Sequence, residues 1–329
     1  MKRLFNPDLE VINKNFSGNF FINGQFSNSN TPEKQSLGKV LKWRFTPNPQ
    51  KEEKQNEQYQ LRVIKDNSFI TDKEDLLVWL GHSSFFIRTN GVTILTDPVF
   101  FDLPFIKRKA ELPVNPEDLK GIDYLLLSHG HRDHFDHNSL KIVLKNNPDI
   151  VCLTPLKMTP LLKKINPHCN VQEAGWYQKY KLNTSGLSIY FLPALHWHRR
   201  GLTDFNKVLW GSFWIRNAKT DIYFAGDSSH ADFYKEIYQI MGSCEYCLMP
   251  IGAYKPDFLM NQYHMSPEEA AALFNELHGK KFIPMHYGTY DLADEPLGEP
   301  EEKIRSCYKN GQLRGELIVP AVGEKVFLT

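Results

Sequence analysis

From Leu76 onward, short apolar runs alternate at close spacing with turn-forming residues, the pattern of a chain built mainly from strands. The stretch "LLVWLGHSSFFIRTNGVTILT" (76–96) holds three such runs, and Asn90-Gly91 between "FFIRT" and "VTILT" accepts the positive φ of a two-residue hairpin turn. Further strands are predicted at "YLLLS", "DIVCLT", "LSIYFL", "VLWGSFWI", "DIYFA", "YCLMPI" and "FIPM". Helices fall between or after them, the clearest at "SPEEAAALFNELHG". There Ser266 caps, Pro267 takes the first helical position, Glu269 completes a capping box and Gly279 stops the helix. Many strands with few helices predict an α/β chain of two packed sheets covered by helices.

The first sixty residues break this pattern. "NGQFSNSNTPEKQS" and "TPNPQKEEKQNEQYQ" are polar and punctuated by proline. Residues 1–60 therefore read as an irregular arm with a short anchored piece at "VLKWRF", and residues 61–329 as the folded domain.

Composition narrows the function classes. A chain of 329 residues that is 41% hydrophobic can bury a sizeable core. Its 39 basic and 38 acidic residues leave a net charge of +1, without the electrostatic footprint of a nucleic-acid binder. Five cysteines at irregular spacing, and an opening without an apolar run of signal-peptide length, read as a reduced, cytoplasmic protein. No stretch reaches the roughly 18 to 20 apolar residues of a membrane span. Cys244 and Cys247 form one C-x-x-C with no second pair, and its apolar setting, "CEYCLMP", makes it strand core rather than a zinc or redox site.

The costliest stretch is "YLLLSHGHRDHFDH" (124–137), where a buried strand gives way at once to histidines and acids. His129, His131, Asp133 and His134 sit on a loop at a strand end, not along one helical face. Imidazole and carboxylate donors this dense suit zinc or a similar borderline metal, and can serve two ions. Three more predicted strands finish in metal-capable residues: His196 after "YFLPAL", Asp227 after "DIYFAG" and His286 after "KFIPM". A lone histidine after a strand is more often capped or solvated; four strand ends with the same chemistry predict one shared edge.

These residues, with "WLGHSSFFI", "ILTDPVF", "LPALHWHRR", "YFAGDSS", "PIGAY", "HMSPEEA" and "HYGTY" in that order, resemble the metallo-β-lactamase superfamily. Within it, the chain is similar to the N-acyl-phosphatidylethanolamine-hydrolysing phospholipase D branch from about Leu76 to its end. The resemblance implies an αββα sandwich of two mixed β-sheets flanked by helices, holding two zinc ions per chain; manganese or iron also fits an all-N/O donor set. It implies that His129, His131 and His196 hold one metal, that Asp133, His134 and His286 hold the other, and that Asp227 bridges them. A metal pair lowers the pKa of a shared water from 15.7 toward about 7, so hydroxide between the ions attacks phosphorus or carbonyl carbon without a protein nucleophile. Asp133 and Asp227 thereby belong to the catalytic machinery, and His264 is implied as a phosphate contact or leaving-group acid. His131 stands where oxygen-reducing diiron relatives carry glutamate, which speaks for hydrolysis over redox chemistry.

Supporting roles are expected for several neighbours. Asp97 and His82 end neighbouring strands and are placed to hydrogen-bond ligand imidazoles. Asp136 orients the ligand loop, and Tyr254, Lys255, Tyr287 and Tyr290 are candidates for the pocket mouth. Gly130, Arg132, Leu195 and Ser228-Ser229-His230 depart from the mammalian phospholipases at positions expected near the phosphate or the entrance. The substrate therefore stays open between a phospholipid or small phosphodiester and, as "WLGHSSFFI" also resembles the ascorbate-6-phosphate lactonase branch, a small lactone. An inactive metal-binding scaffold is the non-enzymatic alternative; the complete ligand set speaks against it. Nucleic acid is not expected as a partner, while peripheral membrane contact and a homodimer stay open.

Overall fold

A computed structural model describes residues 2–27 and 37–329. Two mixed sheets face each other. The seven-stranded sheet runs in the order Asn170–Ala174, Val151–Pro155, Tyr124–Leu126, Val92–Thr96, Ser84–Thr89, Leu76–Gly81 and Lys325–Phe327. The eight-stranded sheet runs Glu316–Leu317, Lys281–Met285, Tyr246–Pro250, Asp221–Phe224, Ser212–Asn217, Leu187–Leu192, Gln178–Lys179 and Glu10–Val11. The hairpin at Asn90-Gly91 forms as its sequence demands, with φ of 52° and 72°.

Strand periodicity divides the core. Leu77, Trp79, Phe85, Ile87 and Ile94 point into the layer shared with the second sheet. Their neighbours Val78, Leu80, Phe86 and Leu95 point the other way, onto Leu140, Val143 and Leu144 of helix His137–Asn146 and Leu162 of Thr159–Lys163. The shared core continues through the second sheet to Ile237, Leu273, Phe274 and Ile304 on three covering helices. A strand such as Leu76–Gly81, covered on both faces, is apolar at every position instead of alternating. The architecture is the αββα sandwich.

Helix Pro267–Glu276 carries the reciprocal Ser266–Glu269 capping box, but its end differs from expectation. His278, not Gly279, takes the left-handed position, at φ 48°. Its N–H donates to Asn275 O at 3.2 Å and that of Gly279 to Phe274 O at 3.0 Å, a Schellman ending displaced by one residue. Gly279 is needed for space: a Cβ there would lie 2.2 Å from the Phe274 ring.

The arm is more ordered than its composition predicts. Lys2–Leu4, Asn19–Ile22 and Gln25–Ser27 form a small sheet, and Glu10–Val11 pairs with Gln178–Lys179 at the edge of the second sheet. Strands of two to four residues leave no readable periodicity, and the edge that receives them is more than 160 residues away. The anchored piece at "VLKWRF" falls in helix Leu37–Phe45, while residues 28–36 of the polar stretch lie outside the described residues. Cys244 and Cys247 are buried and unbridged, as a core reading requires.

Candidate metal centre

Parallel neighbours align strand ends on one edge. Val92–Thr96 and Tyr124–Leu126 are parallel in one sheet, as are Asp221–Phe224, Tyr246–Pro250 and Lys281–Met285 in the other. Their C-terminal ends deliver Asp97, His129, Asp227 and His286 to one side of the sandwich. The sheets meet there because Gly226, at φ +59°, leaves room that a Cβ would fill at 2.8 Å from Ser128 Cβ. Asp97, His82 and His286 also hold positive φ, at 32°, 54° and 63°, rare for residues with side chains.

Two groups of donor atoms result. In the first, His131 Nδ1 lies 2.9 Å from His129 Nε2 and 3.0 Å from His196 Nε2, with Asp227 Oδ2 at 3.9 and 3.7 Å from the latter two. In the second, Asp133 Oδ2 lies 3.2 Å from His82 Nε2, 3.5 Å from His286 Nε2 and 3.7 Å from His134 Nε2. Asp227 joins them: its oxygens also come within 3.1 Å of His134 Nε2 and 3.2 Å of His286 Nε2. All seven predicted ligands lie together, and further sets that overlap them take in Asp97 and His264.

The donor set fits cations. One proton among three converging imidazole nitrogens satisfies one of the two spacings of hydrogen-bond length, whereas a Lewis acid at their centre satisfies all three nitrogens. His134 Nε2, His286 Nε2 and Asp227 Oδ1 are buried without a hydrogen-bond partner, because the contacts to Asp227 lack hydrogen-bond alignment. Three outer nitrogens have partners: His134 Nδ1 faces Asp97 Oδ2 at 2.7 Å, His129 Nδ1 faces Ser128 Oγ at 3.0 Å and His196 Nδ1 faces Tyr263 O at 3.0 Å, while His131 Nε2 and His286 Nδ1 are buried without one. A proton on each of these three turns the inner lone pair toward the centre.

Electrostatics agree. Burial, reinforced by neighbouring imidazoles, holds His129 and His131 well below the ordinary histidine range and takes His196 down to about 4. Burial opposes charge on Asp133 and Asp227 too, but the adjoining histidines outweigh it and keep both carboxylates far below their usual range. The first group thus has the neutral imidazoles that metal binding needs, whereas in the second the carboxylates outweigh burial and push His134 well above the ordinary histidine range and His286 up to about 9, so a metal there would displace protons.

Several expected supports change role. His82 bonds the carboxylate of Asp133, not a ligand imidazole, and its ring lies 4.1 Å from that of His286, inside the second donor group. Asp136 caps helix His137–Asn146, accepting from Ser139 N at 2.8 Å, while His137 is exposed. Ser228 and Ser229 are buried behind the ligands, and His230 turns away to Glu276 at 3.2 Å. His264 Nδ1 is buried, unpartnered and 3.9 Å from Asp227 Oδ2.

The four residues expected at the mouth are elsewhere. Tyr254 bonds Glu299, Lys255 pairs with Glu299 at 2.6 Å, Tyr287 stacks 5.3 Å from Trp79, and Tyr290 donates to Phe101 O at 2.7 Å. A groove of about 510 Å³ opens instead between Trp43, Leu103, Ile106, Trp197, Leu259 and Leu292, with His131, Asp133, Asp227, His264 and His286 at its floor. Trp43 comes from the arm, its Nε1 donating to Asp294 Oδ1 at 3.0 Å. Nothing local in "VLKWRF" signals that role.

An αββα sandwich with histidines and aspartates gathered at its strand ends defines the metallo-β-lactamase class. Residues 92–287 match the family described as the beta-lactamase superfamily domain. The chain is 30% identical over 256 residues, 74% of its length and 72% of the relative's, to N-acyl-phosphatidylethanolamine-hydrolyzing phospholipase D 1 of Caenorhabditis elegans. It is 32% identical over 257 residues to the mitochondrial enzyme of that name in Saccharomyces cerevisiae, covering 75% of this chain and 54% of the yeast protein. Igni18, a metallo hydrolase of Ignicoccus hospitalis, shares the fold at a TM-score of 0.60 and 24% identity, over 78% of this chain and 98% of its own. The chain belongs to the metallo-β-lactamase superfamily of metal-dependent hydrolases, in its N-acyl-phosphatidylethanolamine-hydrolysing phospholipase D-like branch.

Proposed function

We propose that this protein is a zinc-dependent phosphodiesterase of the phospholipase D type, releasing an N-acylethanolamine and a phosphatidic acid from N-acyl-phosphatidylethanolamine or a closely related diester. The observation that carries this reading is the apolar groove opening directly onto the donor groups. A lipid diester needs a metal-held phosphoryl group with a dry wall beside it for its chains.

Two zinc ions, when bound, supply an activated water and positive charge beside the phosphoryl oxygens. Asp227 holds both positions in register, and Asp133, His134 and His286 fix the second. Burial keeps the His264 ring neutral, with its pKa pushed down to about 3, so it serves as a hydrogen-bonding contact for the phosphate rather than a proton donor. The groove walls exclude water around the chains.

The rim supports contact with a lipid surface. Phe105, between the lining residues Pro104 and Ile106, is 107% exposed, and Leu202, beside lining Gly201, is 90% exposed. Among the described residues no helix is long and apolar enough to cross a membrane; in this reading the protein meets the surface of a leaflet through that rim. A sugar-phosphate lactonase calls for a closed polar pocket, which is not what the site presents.

The test combines metal analysis with hydrolysis of N-acyl-phosphatidylethanolamine in mixed micelles and of a chromogenic phosphodiester. Two metals per chain and lipid cleavage are expected. Two metals with cleavage of lactones alone would replace the phosphodiesterase reading.

A further inference from the structure

Three arginines converge on one side of the groove: Arg132, between the ligands His131 and Asp133, and Arg199 and Arg200, shortly after the ligand His196. In a chain of net charge +1, such a concentration of one sign beside a metal centre is a local decision of the fold. The acids within reach are all engaged elsewhere. Asp133 faces the histidines of the second donor group. Asp136 accepts from Ser139 N and Oγ at 2.8 and 2.7 Å. Asp204 accepts from the backbone N–H groups of Arg200 and Gly201, at 3.1 and 2.8 Å. Among the described residues, Arg62, Arg216 and Arg305 pair with carboxylates, whereas Arg132, Arg199 and Arg200 do not. Arg88 and Arg108, also without a carboxylate, spend their guanidinium groups on several backbone carbonyls.

The three play different parts. Arg200 is a buttress: its Nη1 donates to Gly130 O and Phe135 O at 2.8 and 2.9 Å, and its guanidinium lies 4.8 Å from the Phe135 ring centre. Burial, with the like charge of Arg132 next in weight, takes Arg200 down to about 10. The other two keep donors in hand. Arg199 spends Nε on Gly201 O at 2.8 Å, and Arg132 makes only a long 3.4 Å contact to Arg200 O. Both line the same groove, and an oxyanion there would satisfy planar donors that no protein acceptor takes.

We infer that Arg132 and Arg199 form a second anion subsite at the mouth of the groove, recognising a carboxylate or phosphate that the substrate carries several bonds away from the group held at the metal centre. This deepens the phosphodiesterase reading and rests on it: the substrate is an amphiphile with apolar chains against Trp43 and Leu259 and two separate anionic groups. A neutral or zwitterionic headgroup leaves the subsite unused.

The test is calorimetric titration of the full-length, metal-loaded protein with alkyl phosphonates of two to eight methylenes, and with the same series ended in a carboxylate. At one or more lengths the carboxylate member is expected to bind on the order of tenfold tighter in the wild type, as a charge-assisted bidentate contact provides. In the Arg132→Gln/Arg199→Gln variant that advantage is expected to vanish while the plain series binds as before and metal content holds. Should the double variant lose metal, Arg199→Gln alone, outside the ligand run, is expected to lose most of the advantage. No advantage at any length, or one that survives both variants, overturns the subsite. Failure of every phosphonate to bind overturns the phosphoryl-binding reading beneath it, a separate result.

Discussion

The buried carboxylate of Asp97 accepts from His134 Nδ1 at 2.7 Å and, through its other oxygen, from Ser128 N at 2.8 Å. Ser128 Oγ also donates to Asp97 while lying 3.0 Å from His129 Nδ1. One carboxylate thereby sets the ring orientation of a ligand in each donor group, directly for His134 and through a hydroxyl for His129. Asp97→Asn keeps the shape but presents an amide that accepts through only one atom. Metal affinity is expected to fall about 10- to 100-fold, read by competition with a chromophoric chelator. Unchanged affinity would remove Asp97 from the support of the centre.

Among the described residues, Asp227 is the one carboxylate within 4 Å of histidines from both groups. If the centre holds two cations, as proposed, Asp227→Asn leaves volume unchanged but removes the charge between them, so turnover is expected to drop on the order of a thousandfold, with metal content falling from two per chain toward one. A variant that keeps most of the wild-type rate sinks the bridging assignment.

His264 touches the floor of the groove and belongs to neither complete donor group. His264→Ala is expected to lower kcat/KM on phosphodiesters about 10- to 100-fold, the weight of one or two charge-assisted hydrogen bonds, with metal content intact. Loss of metal in this variant would make His264 a ligand instead.

Trp43 reaches the groove from outside the 92–287 segment that matches the family model. Its indole is held by Asp294, so Trp43→Ala removes apolar wall without touching the centre. Burying a chain against such a ring is worth about 1.5–3 kcal/mol. kcat/KM for long-chain lipid is accordingly expected to fall about 10- to 100-fold, and that for a small chromogenic diester to change little. Equal losses on both substrates would show that Trp43 acts on the centre rather than on the chain.

Metal should also stabilise the fold, because buried imidazoles and carboxylates crowd together around Asp227. Free zinc a thousandfold above its Kd contributes about 4 kcal/mol per site. Chelation is expected to lower the unfolding midpoint by several degrees in calorimetry, and zinc to restore it. A midpoint indifferent to chelator would mean that this donor set holds no ion in the folded protein.

Much of the centre is legible in the sequence because metal ligation demands particular atoms at short spacing, and four strand ends repeat that chemistry. The hairpin at Asn90-Gly91 and the capping box at Ser266 are legible for the same reason: each is a local hydrogen-bonding or φ requirement met by local residues. The end of that helix is not, since packing of Phe274 against Gly279 moves the left-handed position to His278. The tyrosines after the strands mislead, because "aromatic after a strand" carries no direction. Tyr287 turns onto Trp79, and Tyr290 toward the carbonyl of Phe101.

The sequence by itself determined the strand-rich class of fold and the set of metal-capable residues, since periodicity and donor chemistry are properties of single segments. Only the tertiary structure decided which donors lie within reach of one another, that His82 lies beside Asp133 and His286, that Trp43 and the loop around Leu103 wall the groove, and that three arginines line it. Those are relations between segments up to some 250 residues apart, as between Trp43 and Asp294, and they arise where parallel strands end together and Gly226 lets two loops touch.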